Sequence, residues 1–234
     1  MANFNNLITF VTGYGEAYNP SNSSIQFRTM QETSVAANGA IDAVNAAVSV
    51  SNAAVSAREI AFAPLSKLVT RVMNFLKASG VPPQVYDQVN TVARKVKGIR
   101  ASALIKPEIP AEGEAPADEP RQISASQMGY DSRVANFGKL IKLLADIAEY
   151  NPNENDLKTE SLGVLNDGLK AKNNAVITAE VSLSNARIAR NNILYAEPAG
   201  LCDVALLVKN YVKALFGVTS PQYKQISNMK FKKY

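Results

Sequence analysis

The side chains best spaced to act together are basic. Arg94, Lys95, Lys97 and Arg100 close an amphipathic stretch that opens at Pro82-Pro83, and Lys224, Lys230, Lys232 and Lys233 crowd the C-terminal end. Clusters of this kind can hold the phosphates of a nucleic acid or an anionic membrane surface, and such binding weakens steeply with salt. Lys77 and Lys213 stand at matching places and could add to the set. Tyr86, Tyr223, Phe231 and Tyr234 lie nearby, where rings could stack on unpaired bases. A plainer reason also exists, because cations near a helix C-terminus are favoured by the helix dipole. No helix-turn-helix or zinc-finger pattern accompanies the clusters.

Little else is equipped for chemistry. The chain has no histidine, so it lacks the side chain best suited to proton transfer near neutral pH and the commonest nitrogen metal ligand. Ser-His-Asp and Cys-His arrangements are impossible. One cysteine, Cys202, cannot form an intrachain disulfide or a structural zinc site, and it reads as a small buried hydrophobe. Glu32 with Asp42 on the first long helix and the isolated Glu180 on the second are the conceivable carboxylate-only sites, while the pairs Asp146 with Glu149 and Glu154 with Asp156 read as solvated or helix-terminal acids. Gly13-Tyr14-Gly15 has no following Gly-Lys-Ser/Thr and reads as a turn. These features predict a non-enzyme with no cofactor, no metal and no catalytic residues. An enzyme with carboxylate or lysine chemistry is the remaining catalytic alternative.

The 234 residues can bury one large core or two small ones. Apolar residues make up 47%, which suits a folded chain, and the formal charge of +5 permits anionic partners without requiring them. No apolar run is long enough for a transmembrane helix, and Met1 to Tyr14 does not resemble a secretory signal. The expected location is cytoplasmic.

The elements that must position these residues come in two copies. Asn3-Phe4-Asn5-Asn6-Leu7-Ile8-Thr9-Phe10 returns as Asn136-Phe137-Gly138-Lys139-Leu140-Ile141-Lys142-Leu143, and Tyr18-Asn19-Pro20 returns as Tyr150-Asn151-Pro152. Val48-Ser49-Val50-Ser51-Asn52-Ala53-Ala54-Val55 matches Val181-Ser182-Leu183-Ser184-Asn185-Ala186-Arg187-Ile188, and Phe62 then matches Tyr195. Asn74-Phe75-Leu76-Lys77-Ala78 matches Asn210-Tyr211-Val212-Lys213-Ala214, Gly80-Val81 matches Gly217-Val218, and Tyr86 matches Tyr223. The order is preserved throughout, which marks a duplication with copies over 1–98 and 136–234. Copies with similar apolar faces can pack with pseudo-twofold symmetry. Residues 99–135 have no counterpart. Pro107, Pro110, Pro116 and Pro120 with five acids between Lys106 and Arg121 predict an extended linker or long loop.

Each copy reads as four helices: a short first one (near 3–15), a long second (23–62 and 155–195), a third (65–79 and 201–215), and a fourth opening at Pro82-Pro83 or Pro221. Ile41, Val44, Val48, Ser51, Val55 and Phe62 predict the buried face of one long helix. Ile177, Val181, Ser184, Ile188 and Tyr195 predict the same face of the other, with Leu162, Leu165 and Leu169 extending it upstream. Such lengths suit a long bundle or coiled-coil pair. Gly80 and Gly217 read as helix stops, and Asp131 or Ser132 as the cap that opens the second copy. The expected fold is an all-α helical bundle built from two tandem four-helix modules. The expected role is a scaffold or protein-interaction module with a protein partner or self-association. An anion-binding module using the basic fourth helices is the alternative.

Overall fold

A computed structural model describes residues 1–98 and 129–233. Among them the chain is all-helical, with no strand. The helices are α1 (Ala2–Gly13), α2 (Phe27–Phe62), α3 (Leu65–Ala78), α4 (Pro83–Lys97), α5 (Tyr130–Ala145), α6 (Thr159–Tyr195), α7 (Leu201–Phe216) and α8 (Pro221–Ser227). Short 3₁₀ turns at Ser23–Ile25 and Asn155–Leu157 lead into α2 and α6. No helix among the described residues is long and apolar enough to cross a membrane. The proline-rich stretch from 99 to 128, and Arg100 with it, lies outside the described residues.

The stops follow local chemistry. Gly80 follows α3 and Gly217 caps α7, both with φ in the left-handed region where a side chain is disfavoured. Pro83 and Pro221 sit in the first turns of α4 and α8, where the missing N–H costs nothing. Ser220 caps α8 through Oγ, which accepts from the Tyr223 N–H at 3.1 Å. The opening of α5 differs from expectation. Its cap is Gly129, without a side-chain bond, because Asp131 falls in the first helical turn and its carboxylate accepts from Asn173. α5 thus reaches back into the stretch read as linker.

The chain divides into two compact units. Unit 1 comprises 1–53 and 178–234, and unit 2 comprises 54–177. Each draws on both halves of the sequence. The core of unit 1 joins Phe4, Leu7 and Val11 of α1 and Ile25 and Met30 to Leu201, Val204, Val208 and Val212 of α7 and Ile226 of α8. The core of unit 2 joins Leu65, Val69, Val72 and Leu76 of α3 and Val89 and Val96 of α4 to Phe137, Leu140 and Leu144 of α5, with Leu157 and Leu162. In unit 1, Tyr18 donates its hydroxyl to the Ile25 carbonyl at 2.7 Å and meets Tyr211 edge-on at 5.2 Å. In unit 2, Tyr150 donates to the Leu157 carbonyl at 2.8 Å and meets Phe75 edge-on at 5.3 Å.

The long helices bury different stripes. On α2 the buried positions include Val44, Ser51 and Phe62, which belong to the expected face. On α6 the upstream residues Leu162 and Leu169 are buried as the spacing predicts. Farther along, the buried positions are Asn173, Val176 and Ala179, while Ile177, Val181 and Ile188 stand 48%, 55% and 55% exposed. The expected face is therefore wrong over this part of α6. Two apolar stripes run side by side there, and spacing alone permits either. Asn173, bonded to Arg58 and Asp131, turns its own stripe inward.

Candidate functional site

The basic residues fall in both units. Arg94, Lys95 and Lys97 occupy the last turn of α4, in unit 2. Lys95 is exposed and Lys97 half-buried. Lys224 lies in the last turn of α8, in unit 1, but α8 stops at Ser227, so Lys230, Lys232 and Lys233 are not helix-terminal as expected. They belong to a non-helical tail held by specific contacts. Lys209 Nζ donates to the carbonyls of Ser227 at 2.8 Å and Met229 at 3.0 Å. Asn3 donates to the Lys230 carbonyl at 3.2 Å, and Phe231 packs against the unit 1 core. A helix continued past Ser227 would forfeit these bonds. Lys233 is already paired: its Nζ lies 2.8 Å from both Glu197 Oε1 and Asp203 Oδ1. Hydrogen bonds to Asp203 and Glu197 hold its ammonium above the usual lysine range.

The acids are dispersed. Glu32 pairs with Arg28 one turn back, at 2.9 Å. Asp156 pairs with Arg71, whose hydrogen bond holds the carboxyl below its usual range. Asp42, Asp146, Glu149, Glu154 and Glu180 are exposed. Among the described residues no group of three or more acids or thiols comes together where it could hold a metal ion. Cys202 is buried at 5% exposure, as its apolar neighbours suggest, and its thiol donates to the Lys232 carbonyl at 3.5 Å. Burial pushes the thiol above its ordinary pKa, which opposes a reactive thiolate. Gly13 ends α1 and Gly15, with φ +57°, opens a 3₁₀ turn, so this Gly-x-Gly is a turn.

Two arrangements escaped the sequence reading. The first is a polar chain in unit 2. Arg58 Nη1 donates to Asn173 Oδ1 at 3.1 Å, and Asn173 Nδ2 donates to Asp131 Oδ1. The Arg58 guanidinium lies over the Tyr130 ring, 4.1 Å from its centroid, and Tyr130 meets Phe62 edge-on at 4.8 Å. Arg133 donates from Nε to the Val96 carbonyl at 3.1 Å and stacks toward Phe62. The chain links cation, amide and carboxylate, and its partners come from α2, α4, α5 and α6. It acts as a polar clasp on the start of α5. One signal could have revealed it: Asn173 is a polar residue in phase with Leu169 and Val176 on an otherwise apolar stripe.

The second is a cavity of about 370 Å³ in unit 1. The start of α1, the end of α6, the start of α7 and the C-terminal tail line it. Spacing could not reveal it, because its walls come from opposite ends of the chain. A groove of about 390 Å³ in unit 2 is edged by Pro64, Leu68 and Leu165, with Lys67, Ser161 and the paired Arg71 and Asp156 as its polar residues.

Comparison with protein-family models, with curated proteins and with solved structures finds no match.

Proposed function

We propose that this protein is a non-enzymatic helical scaffold that self-associates through α6. The observation that carries the reading is the stripe Ile177, Val181, Ser184 and Ile188. Its three β-branched residues recur at near-helical spacing and remain about half exposed. Single exposed apolar residues are ordinary, but a row of them on one helix is a packing surface. A second copy of the same helix is the simplest occupant, since identical steps of four and three let two such stripes interdigitate. The dispersed acids and the buried thiol favour a scaffold over a catalyst. Against the anion-binding alternative, Lys233 is consumed by Glu197 and Asp203.

The architecture proposed with this function is a duplication with reciprocal exchange. The α1-type helix of each copy would pack on the third and fourth helices of the other. Matched contacts support it: Tyr18 and Tyr150 each bond the carbonyl seven residues on, and Tyr211 and Phe75, themselves aligned, receive their rings. A compensated exchange supports it as well. Ser34 donates to Asn5 Oδ1 at 2.6 Å in unit 1. At the aligned positions Gly138 supplies the room that Asn166 takes, for a Cβ there would come within 3.2 Å of the Asn166 amide nitrogen.

Sedimentation velocity over a range of protein concentrations, up to about 1 mM, tests the function. The expected result is a concentration-dependent dimer that Val181→Glu with Ile188→Glu converts to monomer without loss of helicity. A chain that stays monomeric throughout, or a dimer indifferent to those substitutions, overturns the reading.

A further inference from the structure

Toward the unit 1 core α7 turns Leu201, Val204, Ala205, Val208 and Val212. Its exposed residues are Leu206, Leu207, Asn210, Lys213, Ala214 and Leu215, and Val218 stands exposed just beyond its end. The helix is thus largely apolar on both sides, and such a helix is ordinarily covered on both sides. The fold does not demand leucine on the outer side. Asn210 aligns with Asn74, and the residues four and three places ahead are Leu206 and Leu207 on α7 but Thr70 and Arg71 on α3, all of them exposed.

The charges indicate what covers this face. α7 carries Asp203, Lys209 and Lys213 as its charged residues. Lys233 pairs with Asp203, and Lys209 Nζ is engaged by the Ser227 and Met229 carbonyls. Lys213 is the charge on the outer face. It follows Leu206 by seven residues, about two turns, and so lies on the same side of the helix. α1, the Ser23–Ile25 turn and α8, which pack on α7, hold no acid. From Val204 to Tyr234 the sequence has six lysines and no acid.

We propose that this outer face of α7 docks unit 1 on an anionic lipid surface. Leu206, Leu207, Leu215 and Val218 enter the boundary between headgroups and acyl chains, where apolar side chains of an interfacial helix are received. Lys213 lays its methylene stem along that boundary and reaches back with its ammonium to the lipid phosphates. The helix lies in the plane of the interface, and none among the described residues is long and apolar enough to cross it. A nucleic acid would leave the leucines uncovered. A second copy of the face would bring two basic surfaces together with no acid on α7, α1 or α8 left to balance them. The site goes beyond the scaffold reading and does not rest on it.

The test is cosedimentation of the full chain with vesicles of equal parts phosphatidylcholine and phosphatidylserine, with pure phosphatidylcholine vesicles as the neutral counterpart. The chain should bind the mixed vesicles about tenfold more tightly than the neutral ones, and the advantage should shrink as salt rises. Leu206→Gln with Leu207→Gln and Leu215→Gln should weaken binding to the mixed vesicles by about tenfold or more. Lys213→Glu should weaken it by about tenfold and leave binding to neutral vesicles unchanged. Circular dichroism checks that both variants keep native helicity and melting temperature. Lys213→Glu, which leaves the leucines in place, decides the matter if the leucine variant melts early. No binding to the mixed vesicles, equal binding to the neutral ones, or binding indifferent to both variants would overturn the proposal. A chain that ignores vesicles but forms oligomers broken by the leucine variant would assign the face to a second copy instead. Val181→Glu with Ile188→Glu, which tests self-association through α6, should still sediment with the mixed vesicles.

Discussion

Replacing Tyr150 by Phe probes its bond to the 3₁₀ turn that leads into α6 and gives two readings from one hydroxyl. The Tyr150 O–H donates to the Leu157 carbonyl at 2.8 Å in a buried setting, while its ring meets Phe75 edge-on. The substitution keeps the ring and deletes the donor, leaving a buried carbonyl without that partner. The cost near neutral pH should be about 1–3 kcal/mol, the penalty for an unsatisfied buried acceptor. The second reading is in alkali. Burial, with a smaller contribution from Asp156, pushes the Tyr150 phenol up to about 12, against 10.0 unperturbed. Between those values the unfolded chain ionises and the folded chain does not, so the stability that Tyr150 contributes is full below pH 10 and is lost as pH rises through 12. At pH 11 that loss is about 1.4 kcal/mol, one unit's worth of linkage. The gap between the native protein and Tyr150→Phe should therefore narrow by that amount from pH 7 to pH 11. Urea unfolding at the two pH values measures both. A change under about 0.5 kcal/mol at pH 7, or a gap that stays constant or widens in alkali, would refute the assignment of a buried donating hydroxyl.

Other substitutions test separate parts of the structure. A Cβ at Gly200 would lie 2.8 Å from the Ala196 backbone nitrogen and oxygen, so Gly200→Ala should destabilise by about 1–3 kcal/mol in urea unfolding; an unchanged midpoint would show that the approach is not so close. Lys209→Met removes the ammonium that binds the Ser227 and Met229 carbonyls, and hydrogen exchange at the amides of 228–233 should accelerate while α1 stays protected. Cys202, buried and with its thiol pushed up, should react with a thiol reagent far more slowly in the native state than in urea; equal rates would place it at the surface.

Much of the helical content is legible without coordinates. Prolines and glycines mark most of the breaks, because these signals act over one or two turns of chain. The same locality explains the failures. On α6 the stripes through Val176 and through Ile177 both carry apolar residues, and Asn173, on the first of them, is engaged by a distant arginine and aspartate. The basic tail reads as helix because its composition is helix-compatible, but Lys209 and Asn3, distant in sequence, take its carbonyls.

The sequence by itself determined that the chain is helical, that Gly80 and Gly217 mark helix stops, and that it carries no histidine for proton transfer or metal ligation. Those properties follow from residue type and short-range periodicity. The tertiary structure alone decided that α1 packs with α7 and α8 while α5 packs with α3 and α4, which α6 stripe faces inward, and where the tail is tied. The reason is that apolar faces of similar size are interchangeable as sequence patterns. Only long-range packing and a few buried polar contacts distinguish one pairing from another.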